Sequence, residues 1–366
     1  SDSGRHKLLA RFLKEGGLTR VSEMSVLSRP SVARRRQPVV ITGGSGFIGS
    51  NLADSFLQDG SEVLIIDNLC RPGVERNMAW LSERHPRRLH TLLCDIRDMQ
   101  TLTPALADAS AVLHLAGQTA VTTSLENPVE DFEVNVRGTL NVLEAVRRTG
   151  RAVPVIFAST NKVYGDLSDL EMAAGGRNRV PADPLLRRRG LSEERPLDFC
   201  TPYGCSKGSA DQYVLDYARS WGIPTAVMRM SCIYGPRQLG TEDQGWVAHF
   251  LIKALAGEPI TIYGDGRQVR DILHVSDAVA AWRSVLDNIA SLSGEAFNLG
   301  GGPGNAVSLR QVLAEIAVLV GETPIQEYGE WRRGDQFWFV ADTALRADEL
   351  DRLAELDIAA VCVDED

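Results

Sequence analysis

Tyr203 and Lys207 stand four positions apart, which on a helix puts a phenol and an ammonium on one face. An ammonium beside a phenol stabilises the phenolate and draws the tyrosine pKa down, as a base for a hydroxyl proton requires. Thr160 closes an apolar run upstream and supplies a hydroxyl able to bond the same reacting oxygen. Earlier still, Gly43, Gly46 and Gly49 fall at GxxGxxG spacing, with Phe47 and Ile48 between the last two. Glycines there let the backbone turn tightly against a pyrophosphate, while the N-terminal N–H groups of the following helix hold the anion. Asp67-Asn68 follow the next apolar run. A carboxylate at that point accepts from adenosine ribose hydroxyls and repels a 2′-phosphate, so the implied cofactor is NAD rather than NADP. Asp95-Ile96 after the third run are candidates for adenine contact, and Leu115-Ala116-Gly117 after the fourth offer another backbone approach.

Elements must exist to hold these groups. The runs Val39–Thr42, Val63–Ile66, Thr91–Cys94, Ala111–Leu115 and Val153–Ala158 are short and apolar on consecutive positions, the pattern of strands covered on both faces. Between them Phe47–Gln58 and Asp131–Arg148 carry helical spacing, with Asn127-Pro128 as a start signal for the second. A helix over Tyr203–Trp221 and a strand over Thr225–Arg229 extend the alternation. Such alternation predicts an α/β fold, a Rossmann-type doubly wound parallel sheet with a smaller C-terminal substrate-binding lobe. The expected division is a dinucleotide domain over 37–230, with an irregular substrate-side insertion at 165–200. A lobe over 231–366 follows, containing helices Trp246–Ala256, Ser276–Ile289 and Ser308–Val320, with 264–300 returning to the first domain.

The 366 residues carry a formal charge of −9, which argues against a nucleic-acid binder. No apolar run approaches the roughly 20 residues that span a bilayer. Six cysteines are scattered without metal-ligand spacing, so no metal is expected and they read as reduced core residues of a cytoplasmic protein. Residues 1–36 form a basic stretch expected to be a disordered, non-core extension or to include an upstream segment before a start near Met24; a targeting leader is disfavoured by Glu15 and Glu23. The acidic tail over 343–366 carries no recognisable site.

The set Thr42–Gly49, Asp67, His114-Leu115-Ala116-Gly117, Asn135, Thr160, Tyr203 and Lys207 resembles the extended short-chain dehydrogenase/reductase family of NAD-dependent nucleotide-sugar epimerases and dehydratases, over residues 38–342. The resemblance implies that Tyr203 is the base, Lys207 positions the nicotinamide ribose and Thr160 assists. In the family's 4,6-dehydratases an Asp-Glu acid–base pair follows the threonine. Here Asn161-Lys162 follow, an amide and a cation, which disfavours dehydration. Asn161 either caps the following turn or faces the substrate.

The wording Thr160-Asn161-Lys162-Val163-Tyr164-Gly165-Asp166 resembles one branch, the CDP-tyvelose (CDP-paratose) 2-epimerases. Gly117–Ser124, Pro196–Phe199 before Pro202–Lys207, and Asp243-Gln244-Gly245-Trp246 resemble the same branch. The implied reaction removes a C2 hydride to NAD and returns it to the other face of the 2-keto sugar. Gln118, Thr122, Thr123, Ser124, Asn161, Lys162 and Gln244 are candidates to hold the sugar nucleotide. By resemblance, Arg270 and Arg332 hold its diphosphate. His274 reads as structural and Arg187–Arg189 as solvated. The resemblance also implies a homodimer or homotetramer paired through the helices carrying Asn135 and Tyr203. A UDP-sugar 4-epimerase is the alternative, with a 4,6-dehydratase or a catalytically silent NAD-binding module behind it. The preference for CDP rests on resemblance alone. After Val340-Ala341-Asp342 the chain lacks the family's Gly-Trp segment, so the far wall of the nucleotide pocket is expected to differ.

Overall fold

The computed structural model of the protein describes residues 37–343. The basic leader and the tail from residue 344 lie outside the described residues. Strands β1 (Val39–Thr42), β2 (Val63–Asp67), β3 (Leu89–Leu93), β4 (Ala111–His114), β5 (Val155–Thr160) and β6 (Thr225–Met230) form the first part of the chain. Interleaved with them are helices α1 (Phe47–Gln58), α2 (Val74–Arg84), α3 (Met99–Leu106), α4 (Val121–Glu126), α5 (Pro128–Phe132), α6 (Gly138–Arg148), α7 (Pro184–Arg189) and α8 (Thr201–Trp221). Then follow β7 (Cys232–Tyr234), α9 (Trp246–Leu255), β8 (Ile260–Tyr263), β9 (Val269–His274), α10 (Val275–Asp287), α11 (Ile289–Leu292) and β10 (Glu295–Leu299). The last elements are β11 (Ala306–Ser308), α12 (Leu309–Val320), β12 (Gln326–Gly329) and β13 (Trp338–Phe339).

One sheet runs β10-β6-β5-β4-β1-β2-β3, and all its pairs are parallel. The strand order reverses between β4 and β1, the point where open α/β sheets bind ligands beyond their carboxyl ends. Side chains alternate between two cores, as the period of a strand dictates. Val39, Ile41, Val63, Ile65 and Trp282 pack with α1 on one face. Val40, Ile66, Val112, Phe157 and Val227 pack with α3, α6 and α8 on the other. Each such buried side chain contributes roughly 1.5–3 kcal/mol over an exposed one. This is the Rossmann-type arrangement that the strand–helix alternation predicts.

A smaller sheet is built on β9, which pairs antiparallel with β11 and parallel with β13 and β7. β8 and β12 form a parallel pair beside it. The irregular segment after β5 joins this region, because Tyr164, Leu167 and Leu191 pack with Val269, Trp338 and Phe339. The chain re-enters the large layer at α10, packed on α1, and at β10.

Three expectations are corrected. The third strand spans Leu89–Leu93, not Thr91–Cys94; it is the sheet's edge, and Leu93 is 69% exposed. The single helix expected over Asp131–Arg148 begins at Pro128, capped by Asn127, and widens into a π-turn at Glu133–Arg137. Of the five described cysteines, all free, Cys94 is buried while Cys70 and Cys205 are exposed, so they are not a set of core residues. Among the described residues no helix is long and apolar enough to cross a membrane, and no three His, Cys, Asp or Glu cluster as metal ligands.

Candidate active site

A cleft of about 720 Å³ opens beyond the carboxyl ends of β1, β2, β4, β5 and β6. The glycine turn forms its floor. Gly43 has φ +69°, and a Cβ there would sit 2.6 Å from the amide nitrogen of Ala116. A Cβ on Gly49 would stand 2.4 Å from the Gly43 carbonyl oxygen. Glycine is required at both points to let helix and strand approach. Gly46 is the N-cap of α1 and no side chain caps that end, which leaves its first N–H groups for an anion. The carboxylate of Asp67 accepts from the backbone N–H of Ser45 (3.0 Å) and of Leu69 (2.9 Å), which holds it against the turn. The glycine cradle, the open helix end and this carboxylate fit a dinucleotide.

Asp95 is more committed than the sequence suggests. Arg97 donates to it through its backbone N–H, Nε and Nη2, each at 2.9 Å, and Asn68 donates at 2.9 Å. These charge-assisted bonds hold the carboxyl down to about 2. All four lone-pair directions are therefore in use, and an adenine amine would have to displace one donor. Ile96 is buried against the spot where a Cβ on Gly138 would sit.

Behind the floor runs a buried chain of hydrogen bonds. Thr139 Oγ1 donates to the Asn135 carbonyl (2.6 Å), so it accepts from His114 Nε2 (3.0 Å). His114 Nδ1 then accepts from Thr42 Oγ1 (2.7 Å). Full burial pushes the imidazole down to about 3, with the Lys207 ammonium adding to the effect, so this histidine stays neutral. Asn135, on the π-turn, receives the backbone N–H of Gln118 at 2.9 Å and donates to Ser206 Oγ at 3.0 Å. It thereby fixes the strand-end loop Leu115-Ala116-Gly117 against α8; π-turns recur at functional sites for such reasons.

Tyr203 and Lys207 project from the first turns of α8, and both are buried. The Tyr203 hydroxyl is hydrogen-bonded to Thr160. Burial pushes its pKa up to about 12, the Thr160 bond opposes this and the Asp131 carboxylate adds to it. The expected lowering of the phenol by Lys207 is therefore not seen; the net direction is upward. Lys207 itself is pushed down to about 7 by burial, against the pull of Asp211 and Asp131, and its Nζ lies 4.1 Å from the Phe157 ring centroid.

On the substrate side, Gln118, Thr122, Asn161, Lys162, Gln244, Arg270 and Arg332 line the cleft. Thr122 Oγ1 is buried without a hydrogen-bond partner. Asn161 is clamped to Gln336 and does not cap its turn; Thr160 is the cap, accepting from the Lys162 N–H. Lys162 Nζ donates to the Gly334 carbonyl (3.1 Å) and stands 3.6 Å from Asp335. Arg270 is buried and donates to Asp335 (2.7 Å) and to the Gln336 carbonyl (2.8 Å), so a diphosphate there would share it with Asp335. Arg332 lies 3.8 Å above the Tyr263 ring and pairs with Asp243 at 3.2 Å.

Two expected substrate contacts do not face the cleft. Thr123 is exposed on the outer side of α4. Ser124 is buried and accepts from the Tyr203 N–H at 3.1 Å, so it seats the start of α8. Arg71, which no local signal in the sequence singles out, also lines the cleft and donates to Gln244 and to the Leu239 carbonyl. His274 caps α10 through its Nδ1, the structural role expected of it.

A sequence model of the NAD dependent epimerase/dehydratase family matches residues 39–300. The chain is 42% identical over 317 residues to the CDP-paratose 2-epimerase of Salmonella typhi, covering 83% of this chain and 90% of that protein. The Thermus thermophilus UDP-glucose 4-epimerase, solved with NAD, superposes with a TM-score of 0.69 at 32% identity, covering 87% of this chain and 92% of that one. The dTDP-glucose 4,6-dehydratase DesIV of Streptomyces venezuelae, solved with NAD and TYD, superposes with a TM-score of 0.71 at 26% identity, covering 87% and 96%. With this fold, this glycine cradle and these matches, the chain belongs to the NAD-dependent epimerase/dehydratase family and is an enzyme whose cofactor is NAD.

Proposed function

We propose that the protein inverts C2 of a CDP-linked sugar of the paratose/tyvelose type. The observation that carries this reading is the 42% identity to a CDP-paratose 2-epimerase across most of both chains. The site's chemistry supports it. Asn161 and Lys162 stand where a dehydrating carboxylate pair would be needed, and both are held by Gln336, Gly334 and Asp335. NAD, when bound, supplies the hydride acceptor and donor. Residues of the glycine turn, Asp67, Asn68, Ile96 and the 115–117 loop would hold it, with Lys207 towards the nicotinamide ribose. Tyr203 takes the proton from the substrate hydroxyl and returns one, and Thr160 orients that oxygen. Gln118, Thr122 and Lys162 face the sugar, while Arg270 and Arg332 face the diphosphate. In this reading the dinucleotide domain comprises 37–230 apart from the substrate-side insertion at 165–200; its return, expected over 264–300, is drawn at 275–300 because β9 pairs within the smaller sheet, and the rest of the described chain forms the substrate lobe.

Incubation with CDP-paratose and, separately, UDP-glucose tests the reading, with NMR locating the inverted carbon. C2 inversion of the CDP-sugar is expected; inversion only at C4 of the UDP-sugar would overturn it in favour of the 4-epimerase alternative.

We further propose a homodimer, or a dimer of dimers, joined through α5 and α8. Val129 and Phe132 on α5 and Tyr213 on α8 are exposed, at 70%, 49% and 44%. Apolar groups gathered on neighbouring helices mark interaction surfaces. Static light scattering should give a multiple of the chain mass, and Phe132→Glu should shift it towards the monomer. A monomeric wild type would sink the proposal. Free thiols among the described cysteines fit a reducing, cytoplasmic setting.

A further inference from the structure

Asp131 is the last residue but one of α5, immediately before the π-turn, and is 1% exposed. A carboxylate so buried is costly unless other groups compensate it. Its Oδ1 accepts a long bond, 3.3 Å, from Asn135 Nδ2, and its Oδ2 is buried with no hydrogen-bond partner. The same Asn135 amide reaches Ser206 Oγ at 3.0 Å, and Ser206 donates to the Tyr203 carbonyl at 3.2 Å. Asp131 therefore stands behind the first turns of α8, across from the pair that carries the proposed chemistry. No cation lies within ion-pair distance of it among the described residues. Burial raises the pKa of this carboxyl above its ordinary value, while a hydrogen bond from Ser206 and the nearby Lys207 ammonium favour the ionised form.

We propose that Asp131 is a positioning residue of the active site, a buried carboxylate that holds Asn135 and Ser206 and supplies the negative charge facing Lys207 and Tyr203. The proposal rests on the reading of Tyr203 and Lys207 as the reacting pair. The groups facing Asp131 from α8 are Tyr203, Cys205 and Lys207. Those facing Lys207 from elsewhere are Asp211 on its own helix and His114 on β4, which stays neutral. Asp211 is committed to Arg229, so Asp131 is the carboxylate with spare acceptor capacity beside the pair.

The direction of the effect follows from charge. The Asp131 anion raises the affinity of both Tyr203 and Lys207 for a proton. Its removal releases both protons at lower pH. Sharing the buried site with Lys207 and with a tyrosine that becomes anionic, the carboxylate opposes the phenolate while it steadies the ammonium. The balance between them sets how much phenolate exists at a given pH.

The test compares wild type with Asp131→Asn and with Asp131→Ser, which leaves room for water if the amide does not fit. Tyr203 is titrated in the NAD-loaded protein by the ultraviolet difference signal of tyrosinate, with the Tyr203→Phe counterpart of each protein subtracted. The expected result is a titration displaced to lower pH by about one unit, with the low-pH limb of the kcat profile moving in the same sense. A titration that superimposes on wild type in a folded variant overturns the proposal, even if its melting temperature has dropped, because it leaves Asp131 with a packing role only. The titration needs no substrate, so its failure is distinct from failure of the C2-epimerase reading, which the NMR assay reports separately.

Discussion

Tyr203→Phe is expected to lower kcat by roughly 10²–10⁴-fold, the range lost when a positioned acid–base group is removed. The substitution deletes one oxygen from a side chain that is 8% exposed and keeps the ring's packing. Thr160 loses its bond to the phenol but retains the Lys162 N–H at 3.3 Å and Asn161 Oδ1 at 3.4 Å. Folding should thus change by no more than about 1–2 kcal/mol, which a denaturation curve checks. The glycine cradle and Asp67 are untouched, so the NAD retained per chain, measured after acid release, should equal wild type. The loss should fall on kcat more than on KM, since a proton transfer is made only on the way to the transition state. The sign with pH follows from the site. Burial holds Tyr203 up to about 12, so phenolate is scarce near neutrality and the wild-type rate should climb with pH. That climb should disappear in Tyr203→Phe. Unchanged turnover in the variant would instead favour a site whose chemistry does not pass through this phenol.

The features legible in the sequence are those set by near neighbours. β1 and α1 fall at the residues expected of them, because a β-branched run, a glycine turn and a 3.6-residue apolar period are all local signals. Asp67 and Thr160 are legible for the same reason, each closing a buried run. What escaped depends on partners far along the chain. Ser124 reads as a polar loop residue until Tyr203, 79 positions on, presents its N–H. The π-turn exists where Asn135 reaches the Gln118 backbone, and no periodicity in 128–148 reports an extra residue per turn. Arg270 looks free for phosphate in its own segment, yet Asp335, 65 positions later, meets it at 2.7 Å. The pairing of Tyr203 with Lys207 is legible as a shared helix face. Its electrostatics are not, because burial outweighs the Thr160 hydrogen bond and moves the phenol upward.

Asp211→Ala, at a residue the sequence gives no reason to single out, is expected to cost about 3–5 kcal/mol of folding free energy, read from the denaturant midpoint. Asp211 lies on α8, one turn beyond Lys207, with no exposed surface. It accepts from Arg229 Nε and Nη2, each at 3.0 Å, and from Ser159 Oγ at 2.8 Å. Arg229 in turn donates to the Tyr164 hydroxyl at 3.1 Å, and Tyr164 donates to Asn298 at 2.9 Å. One network thus joins α8, β5, β6 and β10 to the segment entering the substrate side. Removing the carboxylate strands a guanidinium that is 5% exposed, and an uncompensated buried charge is the costly part of breaking such a pair. If that is the cause, Asp211→Leu combined with Arg229→Met should recover much of the loss, because replacing both charges removes the stranded one. A double variant as unstable as the single one would point to the Tyr164 and Ser159 bonds instead. The same carboxylate favours the charged form of Lys207. At temperatures where the Ala variant is still folded, its Lys207 should therefore hold its proton less tightly than in wild type, so one residue couples the stability of α8 to the charge of the site it carries.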